Sequence, residues 1–344
     1  MKTEKQARQR YSRQVMFHGI GEEGQAKLGR GNVAIIGCGA LGSNVANLLV
    51  RAGVGKVRII DRDFVESHNL QRQVLFDEND VKDQLPKAIA AKRRLNKINS
   101  LVEVESIVAD VNVSNVERLC SGMDIILDGL DNLETRYLIN DAALKLNIPY
   151  VYGGAISSFG MTMTIIPGRT PCFRCVFPDM PPGGIMPTCE TDGVLGMAAS
   201  AISSFEATEA IKILVGNDQL NKDLISLDIW DTSFQRLPIA RKESCPACNG
   251  SYDFLKKKKT LIKSSLCGQS RAVQIVDTAA GKIVFEQLAG HLSDVQNLTY
   301  NEYMLSFDAD NCRITVFPDG RAIIRNTLDE ELAEKLYFRY VRGH

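Results

Sequence analysis

NVAIIGCGALGSNVANLLVRAGVGKVRIID, residues Asn32–Asp61, reads as strand, glycine turn, helix and second strand. The apolar run Val33–Ile36 is short and ends at glycine, so Asn32–Ile36 reads as a buried strand. Gly37–Gly42 is a glycine loop, Ser43–Ala52 a helix closed by Gly53, and Val57–Ile60 a strand ending at Asp61. Gly37, Gly39 and Gly42 let the backbone turn tightly and approach phosphate, with Ala40 between them, while the helix start offers unpaired N–H donors. Asp61, at the end of the next strand, can accept both hydroxyls of a ribose. The competing reading is a turn made for helix–strand packing, and the motif alone does not separate NAD from ATP.

The same alternation continues outward. Val81–Asn96 has helical composition, Val102–Val108 looks extended, and Asp124–Asp128 is a buried strand running into Gly129. Leu133–Leu146 reads as a helix and Tyr150–Tyr152 as a strand. Strands alternating with helices predict a Rossmann-like α/β domain with a mainly parallel sheet. Pro178–Gly193 is proline- and glycine-rich and reads as a long loop, followed by a helix over Leu195–Val215. Beyond the charge run Lys256–Lys259 the texture changes. Strands are expected at Met304–Asp308, Arg313–Phe317 and Arg321–Arg325, with a hairpin at Asp319-Gly320 and a helix over Leu328–Arg342. The division is therefore 1–255, the nucleotide domain, and 256–344, a small α+β domain.

Composition bounds the function. Across 344 residues, Lys plus Arg and Asp plus Glu are both 41, so no overall basic field draws nucleic acid or an anionic membrane. The start, MKTEKQARQRYSRQ, lacks the apolar centre of a signal peptide, and no run is long enough to suggest a membrane span. Nine cysteines in such a chain argue for metal, thiol chemistry or burial rather than disulfides, and the expected location is cytoplasmic.

Residues after Asp61 favour ATP. Asn69-Leu70-Gln71-Arg72-Gln73 and Lys87 supply polar and cationic groups for a polyphosphate, and Asp131-Asn132 a carboxylate for Mg2+. A dehydrogenase needs an acid or base at a hydride acceptor, and His18, His68, His291 and His344 form no constellation for one.

Two CxxC pairs, Cys172/Cys175 and Cys245/Cys248, supply the four thiolates of a structural Zn2+, which would pin the base of the long loop to the chain after it. A redox dithiol is the alternative. Cys189 lies in the loop itself and is a candidate nucleophile, while Cys38, Cys120, Cys267 and Cys312 read as packing residues.

RYSRQ at Arg10–Gln14, GCGALGS, IIDRDFVESHNLQRQ, Pro86-Lys87 and LDGLDN together resemble the MoeB/ThiF/HesA family, bacterial relatives of ubiquitin-activating enzymes. The likeness covers roughly residues 8–253, and the tail is similar to the C-terminal extension of Bacillus-type ThiF proteins. It implies that Ala40 lies against the nucleotide, that Asp61 holds ribose, and that Asn69, Gln71, Arg72 and Lys87 surround the phosphates. It implies Mg2+ on Asp131 beside Asn132, and an Arg13 that enters the active site of the other subunit of a homodimer. Against that pattern two residues are inserted before Pro86-Lys87, within Val81–Leu85, and the rhodanese domain of some relatives is absent from this sequence.

The reaction implied is ATP-dependent adenylylation of the C-terminal glycine of a ubiquitin-like sulfur-carrier protein ending in Gly-Gly. A separate sulfur donor, such as a cysteine desulfurase or rhodanese, would then form the thiocarboxylate for thiamin or molybdopterin synthesis. Activation of another carboxylate, in tRNA or peptide modification, is one alternative. A nucleotide-binding scaffold without catalysis, or an NAD-dependent dehydrogenase, is another.

Overall fold

The computed structural model describes residues 2–181, 191–256, 261–266, 271–277 and 280–343, which separate into two compact units, Met1–Lys257 and Lys258–His344. The first unit is built on eight strands. They are β1 (Asn32–Ile36), β2 (Lys56–Asp61), β3 (Glu103–Val108), β4 (Ile125–Asp128), β5 (Tyr150–Ile156), β6 (Phe159–Ile165), β7 (Leu224–Asp228) and β8 (Ser233–Leu237). Their order in the sheet is β3-β2-β1-β4-β5-β6-β7-β8. Pairing is parallel from β3 through β5 and antiparallel from β5 through β8. β1 and β4 are continuous apolar runs because helices cover both of their faces.

The chain leaves β1 toward β2 and β3 on one side, and later returns to place β4 on the other. That reversal opens a crevice at the carboxyl ends of β1 and β4, where open α/β sheets bind ligands. On one face the helix Ala40–Ala52 packs against Gly196–Val215, with the Ser203 hydroxyl donating to the Leu41 carbonyl at 3.0 Å. A second core gathers Val116 and Leu119 with Tyr137, Ile139 and Phe173.

Two expectations need correction. The helix predicted over Val81–Asn96 is broken: Glu78–Lys82 is one short helix and Lys87–Ile98 another. Gln84 takes a φ of 50°, and Pro86 cannot donate a backbone hydrogen bond, so a single helix cannot pass through. The strand predicted at Tyr150–Tyr152 runs on to Ile156 and hairpins into β6, which together with β7 and β8 extends the sheet in antiparallel fashion.

The second unit is a six-stranded antiparallel sheet. β9 (Leu261–Leu266), β10 (Ala272–Asp277), β11 (Gln296–Tyr300), β12 (Leu305–Ala309), β13 (Cys312–Val316) and β14 (Ala322–Arg325) follow the order β11-β12-β13-β14-β10-β9. Val273, Ile275, Phe307, Ile314 and Ile324 form its core with Leu288 and Leu336, from the helices Phe285–His291 and Glu330–Tyr337. Gly320, at a φ of 81°, makes the turn between β13 and β14. Among the described residues no helix is long and apolar enough to cross a membrane.

Candidate active site

The glycine loop sits at the crevice and opens the helix Ala40–Ala52. Gly37 takes a φ of 89°, a left-handed conformation that side chains resist, and Gly39 caps the helix with no side-chain hydrogen bond to its first N–H groups. Those donors are available to an anion. Gly37 also lies flat against Gly129 at the end of β4. A Cβ on Gly37 would stand 2.4 Å from the Gly129 carbonyl oxygen, and one on Gly129 would stand 2.2 Å from the Gly37 oxygen. Gly42 is confined in the same way, 2.0 Å from the Gly37 oxygen. Three glycines thus bring the loop after β1 against the loop that carries Asp131.

Asp61 closes β2. Its carboxylate accepts from the Cys38 N–H and the Asp63 N–H, each at 2.6 Å, so it ties the glycine loop to the next turn. Burial pushes its pKa up, and the nearby Lys87 opposes that rise. Lys87 begins its helix almost buried, with its Nζ 3.2 Å from the Asp63 carboxylate. Burial alone would lower the lysine pKa, but Asp63, Asp61 and Asp131 together raise it, so the ammonium stays charged. Arg62 joins the cluster: its Nη1 donates to Asp110 at 2.6 Å, it also feels Asp63 and Asp131, and its pKa is raised against the cost of burial.

The cluster therefore holds two cations, Arg62 and Lys87, among four carboxylates, Asp61, Asp63, Asp110 and Asp131. Such a surplus of negative charge does not suit a polyphosphate by itself. It suits a polyphosphate that arrives with a divalent cation, and Asp131 is the exposed carboxylate, with Asn132 Nδ2 3.4 Å from it. The donor set fits Mg2+.

Other residues singled out in the sequence fall differently. Asn69 is buried and its Oδ1 accepts from the Glu66 N–H at 3.2 Å, capping the turn Ser67–Asn69. Gln71 is exposed. Arg72 is half-buried, donates to the His68 carbonyl at 2.8 Å, and lies against the start of the helix Gly196–Val215. Arg13 is not brought to this crevice. It is exposed, 3.7 Å from the Met16 sulfur, on a helix anchored where the Tyr11 ring covers Gly53. Gly53 ends a helix of 13 residues that starts at the glycine loop. At 1.5 Å per residue that helix separates the two ends by about 20 Å. Cys189 lies outside the described residues, as does Cys267; Cys38, Cys120 and Cys312 are buried.

One group escaped the sequence reading, and another was seen only as part of a run. Arg62 follows Asp61 directly, and its use depends on Asp110 at the far end of β3, which no local spacing reveals. Gln73 is buried beside Gly39, and its side-chain oxygen has no protein partner among the described residues. Its amide nitrogen, not that oxygen, is the atom near Gly39, and a buried unpaired acceptor calls for a donor from a ligand or water. The NLQRQ run around it was the available signal.

The four cysteines do converge. Sγ separations are 3.8 Å for Cys172–Cys175 and 3.6 Å for both Cys172–Cys245 and Cys175–Cys248, with all four within 4.8 Å of one another. Zn–S bonds of about 2.3 Å in a tetrahedron give S···S edges of about 3.8 Å, which the three short separations match, so the donor set fits Zn2+. Burial and the neighbouring thiols raise the Cys172 pKa, a cost that a cation would remove.

The ThiF family pattern matches residues 11–247. Over 336 residues the chain is 41% identical to the sulfur carrier protein ThiS adenylyltransferase of Bacillus subtilis, covering 96% of this chain and 99% of that protein. It is 39% identical to the sulfur carrier protein adenylyltransferase of Thermus thermophilus, over 72% of this chain and 93% of that one. Among solved structures, E. coli MccB with ATP superposes with a TM-score of 0.62 at 25% identity, over 70% of this chain and 74% of MccB. Glycine loop, acidic strand end, lysine and three of the four paired cysteines fall inside the matched span, with Cys248 one residue beyond it, and the chain belongs to the ThiF family.

Proposed function

We propose that this protein adenylylates the C-terminal glycine carboxylate of a ubiquitin-like sulfur carrier, consuming ATP and releasing pyrophosphate. The observation that carries the reading is the grouping of Lys87, Arg62, Asp61 and Asp131 beside a glycine loop at the sheet's reversal point. The names of its relatives in B. subtilis and T. thermophilus supply the substrate class, and the ATP-bound MccB neighbour supports ATP as the nucleotide.

In this reading Asp61 receives the ribose hydroxyls, and Ala40 and the glycine loop N–H groups face the phosphates. Lys87, Arg72 and Gln71 line the polyphosphate, with Asn69 holding the turn that leads into the last two. Mg2+, when bound at Asp131 beside Asn132, neutralises phosphate charge. The carrier's carboxylate oxygen attacks the α-phosphorus, the bond to the bridging oxygen breaks, and pyrophosphate takes the electron pair. No general base is needed, because a terminal carboxylate is already ionised at neutral pH. The chain's contribution is alignment and positive charge where two anions meet.

Arg13 is too far from its own crevice to help, and in a homodimer it would serve the partner subunit's site. A cysteine desulfurase or rhodanese is the class of enzyme that would supply sulfur afterwards, for thiamin or molybdopterin synthesis. A Zn2+ at the four thiolates has a folding role, and since thiolates require a reducing compartment, we assign the enzyme to the cytoplasm. Cys189 remains the candidate for a covalent link to the carrier. A peptide carboxylate is the rival substrate, and the higher identity to carrier enzymes than to MccB, 41% against 25%, favours the carrier.

ATP–pyrophosphate exchange tests this, run separately with ThiS-like and MoaD-like carriers, with carriers lacking the last glycine, and with a short peptide. Exchange that requires an intact carrier tail supports the reading. Exchange with the peptide alone, or with no substrate, would overturn it.

A further inference from the structure

Behind the exposed Asp131 lies a buried polar network. Asp128, the last residue of β4, is fully buried. Its Oδ1 accepts from the Leu130 N–H at 2.9 Å, and its Oδ2 accepts from the Arg136 Nε at 3.0 Å and the Tyr150 hydroxyl at 2.6 Å. Arg136, itself nearly buried, donates from Nη2 to the Leu130 carbonyl at 2.6 Å and to the Gly153 carbonyl on β5 at 2.9 Å. Its guanidinium also lies 5.3 Å from the centre of the Tyr152 ring.

Both ends of residue 130 are therefore held by one ion pair: Asp128 takes its N–H and Arg136 its carbonyl. On the other side, the Asn132 Oδ1 accepts from the Thr135 N–H and caps the helix Leu133–Leu146. Asp131 stands between two fixed peptides, with its carboxylate in solvent. Loops tethered only at their ends wander; this one is gripped at its middle from within the core.

Resting on the nucleotide-activation reading, we infer that Arg136 is a positioning residue, holding the Leu130 peptide so that the Asp131 carboxylate is set in advance for a metal–nucleotide complex. Arg136 is buried behind the loop and acts through the Leu130 peptide rather than by contact with nucleotide or carrier. Its fork shape matters, because Nε serves Asp128 while Nη2 reaches the two carbonyls. A lysine there keeps the charge that Asp128 needs but cannot make all three bonds.

The test uses the full-length protein with Arg136→Lys and, as a milder lesion, Tyr150→Phe, which removes one bond to Asp128. Hydrogen–deuterium exchange at residues 129–132 needs no ligand. Mn2+ binding by electron paramagnetic resonance, with a non-hydrolysable ATP analogue present, reads the metal site without turnover. Expected for Arg136→Lys is about tenfold faster exchange confined to 129–132 and about tenfold weaker Mn2+ binding. Metal-free nucleotide affinity should stay within about twofold of wild type, and Tyr150→Phe should shift the first two in the same direction by less. Unchanged loop protection with unchanged Mn2+ affinity overturns the inference. So does a uniform loss of protection across the sheet with Mn2+ and nucleotide affinity falling together, since that is the signature of general loosening. Should Arg136→Lys fail to fold, Tyr150→Phe decides: a loop and Mn2+ affinity like wild type sink the proposal. The function reading fails separately, as an absence of carrier-dependent exchange in the wild-type protein whatever the loop does.

Discussion

Gly37 and Gly129 face each other with no room for a side chain on either: the Cβ positions would fall 2.4 and 2.2 Å from the opposing carbonyl oxygens. The first glycine belongs to the candidate phosphate loop and the second to the loop of Asp131. Their approach is what makes one crevice out of two strand ends.

Gly129→Ala should therefore act on both stability and nucleotide binding. The methyl must push backbone rather than a flexible side chain, and overpacking of this kind costs about 1–3 kcal/mol. Thermal unfolding should show the loss, and ATP affinity should fall by roughly tenfold as the loops separate. A variant with wild-type ATP affinity would show that the two loops need not touch to form the site.

Arg13 and Asp131 should complement each other across subunits. Arg13→Ala and Asp131→Ala are each expected to lose roughly a hundredfold or more in carrier-dependent exchange, the scale for removing a charge that stabilises the transition state. Mixed and allowed to exchange subunits, they should recover about a quarter of wild-type activity, because half the dimers are mixed and each has one intact site. Recovery absent from mixtures proven to contain mixed dimers would mean that Arg13 does not serve the partner subunit's site, and an Arg13→Ala variant of full activity would place it outside the reaction.

Glu206 offers a pH test. It is fully buried in the helix Gly196–Val215, and a Cβ on Gly153 would meet the carboxyl at 2.5 Å. Burial, with Asp128 nearby, raises its pKa well above the ordinary 4.5. The folded protein then keeps a proton that the unfolded chain releases above that value. Excess protons on the native state make stability fall as pH rises. Glu206→Gln removes the penalty, so its melting temperature should gain on wild type progressively from pH 5 to pH 8. Parallel profiles for the two proteins would mean that Glu206 ionises in the fold at little cost.

The cysteine cluster should bind one Zn2+ per chain. Cys172→Ser or Cys245→Ser should lower metal content and melting temperature together, and a strong chelator should do the same to the wild-type protein. Full stability with the metal stripped would leave the thiols as a redox or packing device.

What the sequence revealed and what it hid divide along a physical line. The glycine loop, Asp61, Lys87 and the CxxC pairs are local patterns, in which a few neighbouring residues specify both conformation and chemistry. Thus β1 and the helix Leu133–Leu146 fall where the apolar runs placed them. The antiparallel extension was hidden because β6, FGMTMTI, mixes glycine, threonine and methionine and lacks the Val/Ile run of a buried strand, while the exposed β8 depends on pairing with β7. The break at Gln84–Pro86 was written in the proline but overridden by helical composition on both sides. Arg62 was invisible because Asp110 arrives from the loop after β3, and the Asp128–Arg136 pair because a strand end meets the next helix, with Tyr150 and Gly153 added from β5, only in the folded sheet.

Carrier adenylylation is read directly as the intact mass of a purified carrier after incubation with this protein, ATP and Mg2+, without a sulfur donor. Expected is a carrier heavier by one adenylyl group (AMP less water), formed by the wild-type enzyme, absent with Asp131→Ala, and absent when the carrier lacks its terminal glycine. A carrier of unchanged mass, under conditions where ATP binds and pyrophosphatase-coupled detection finds no release, would contradict it.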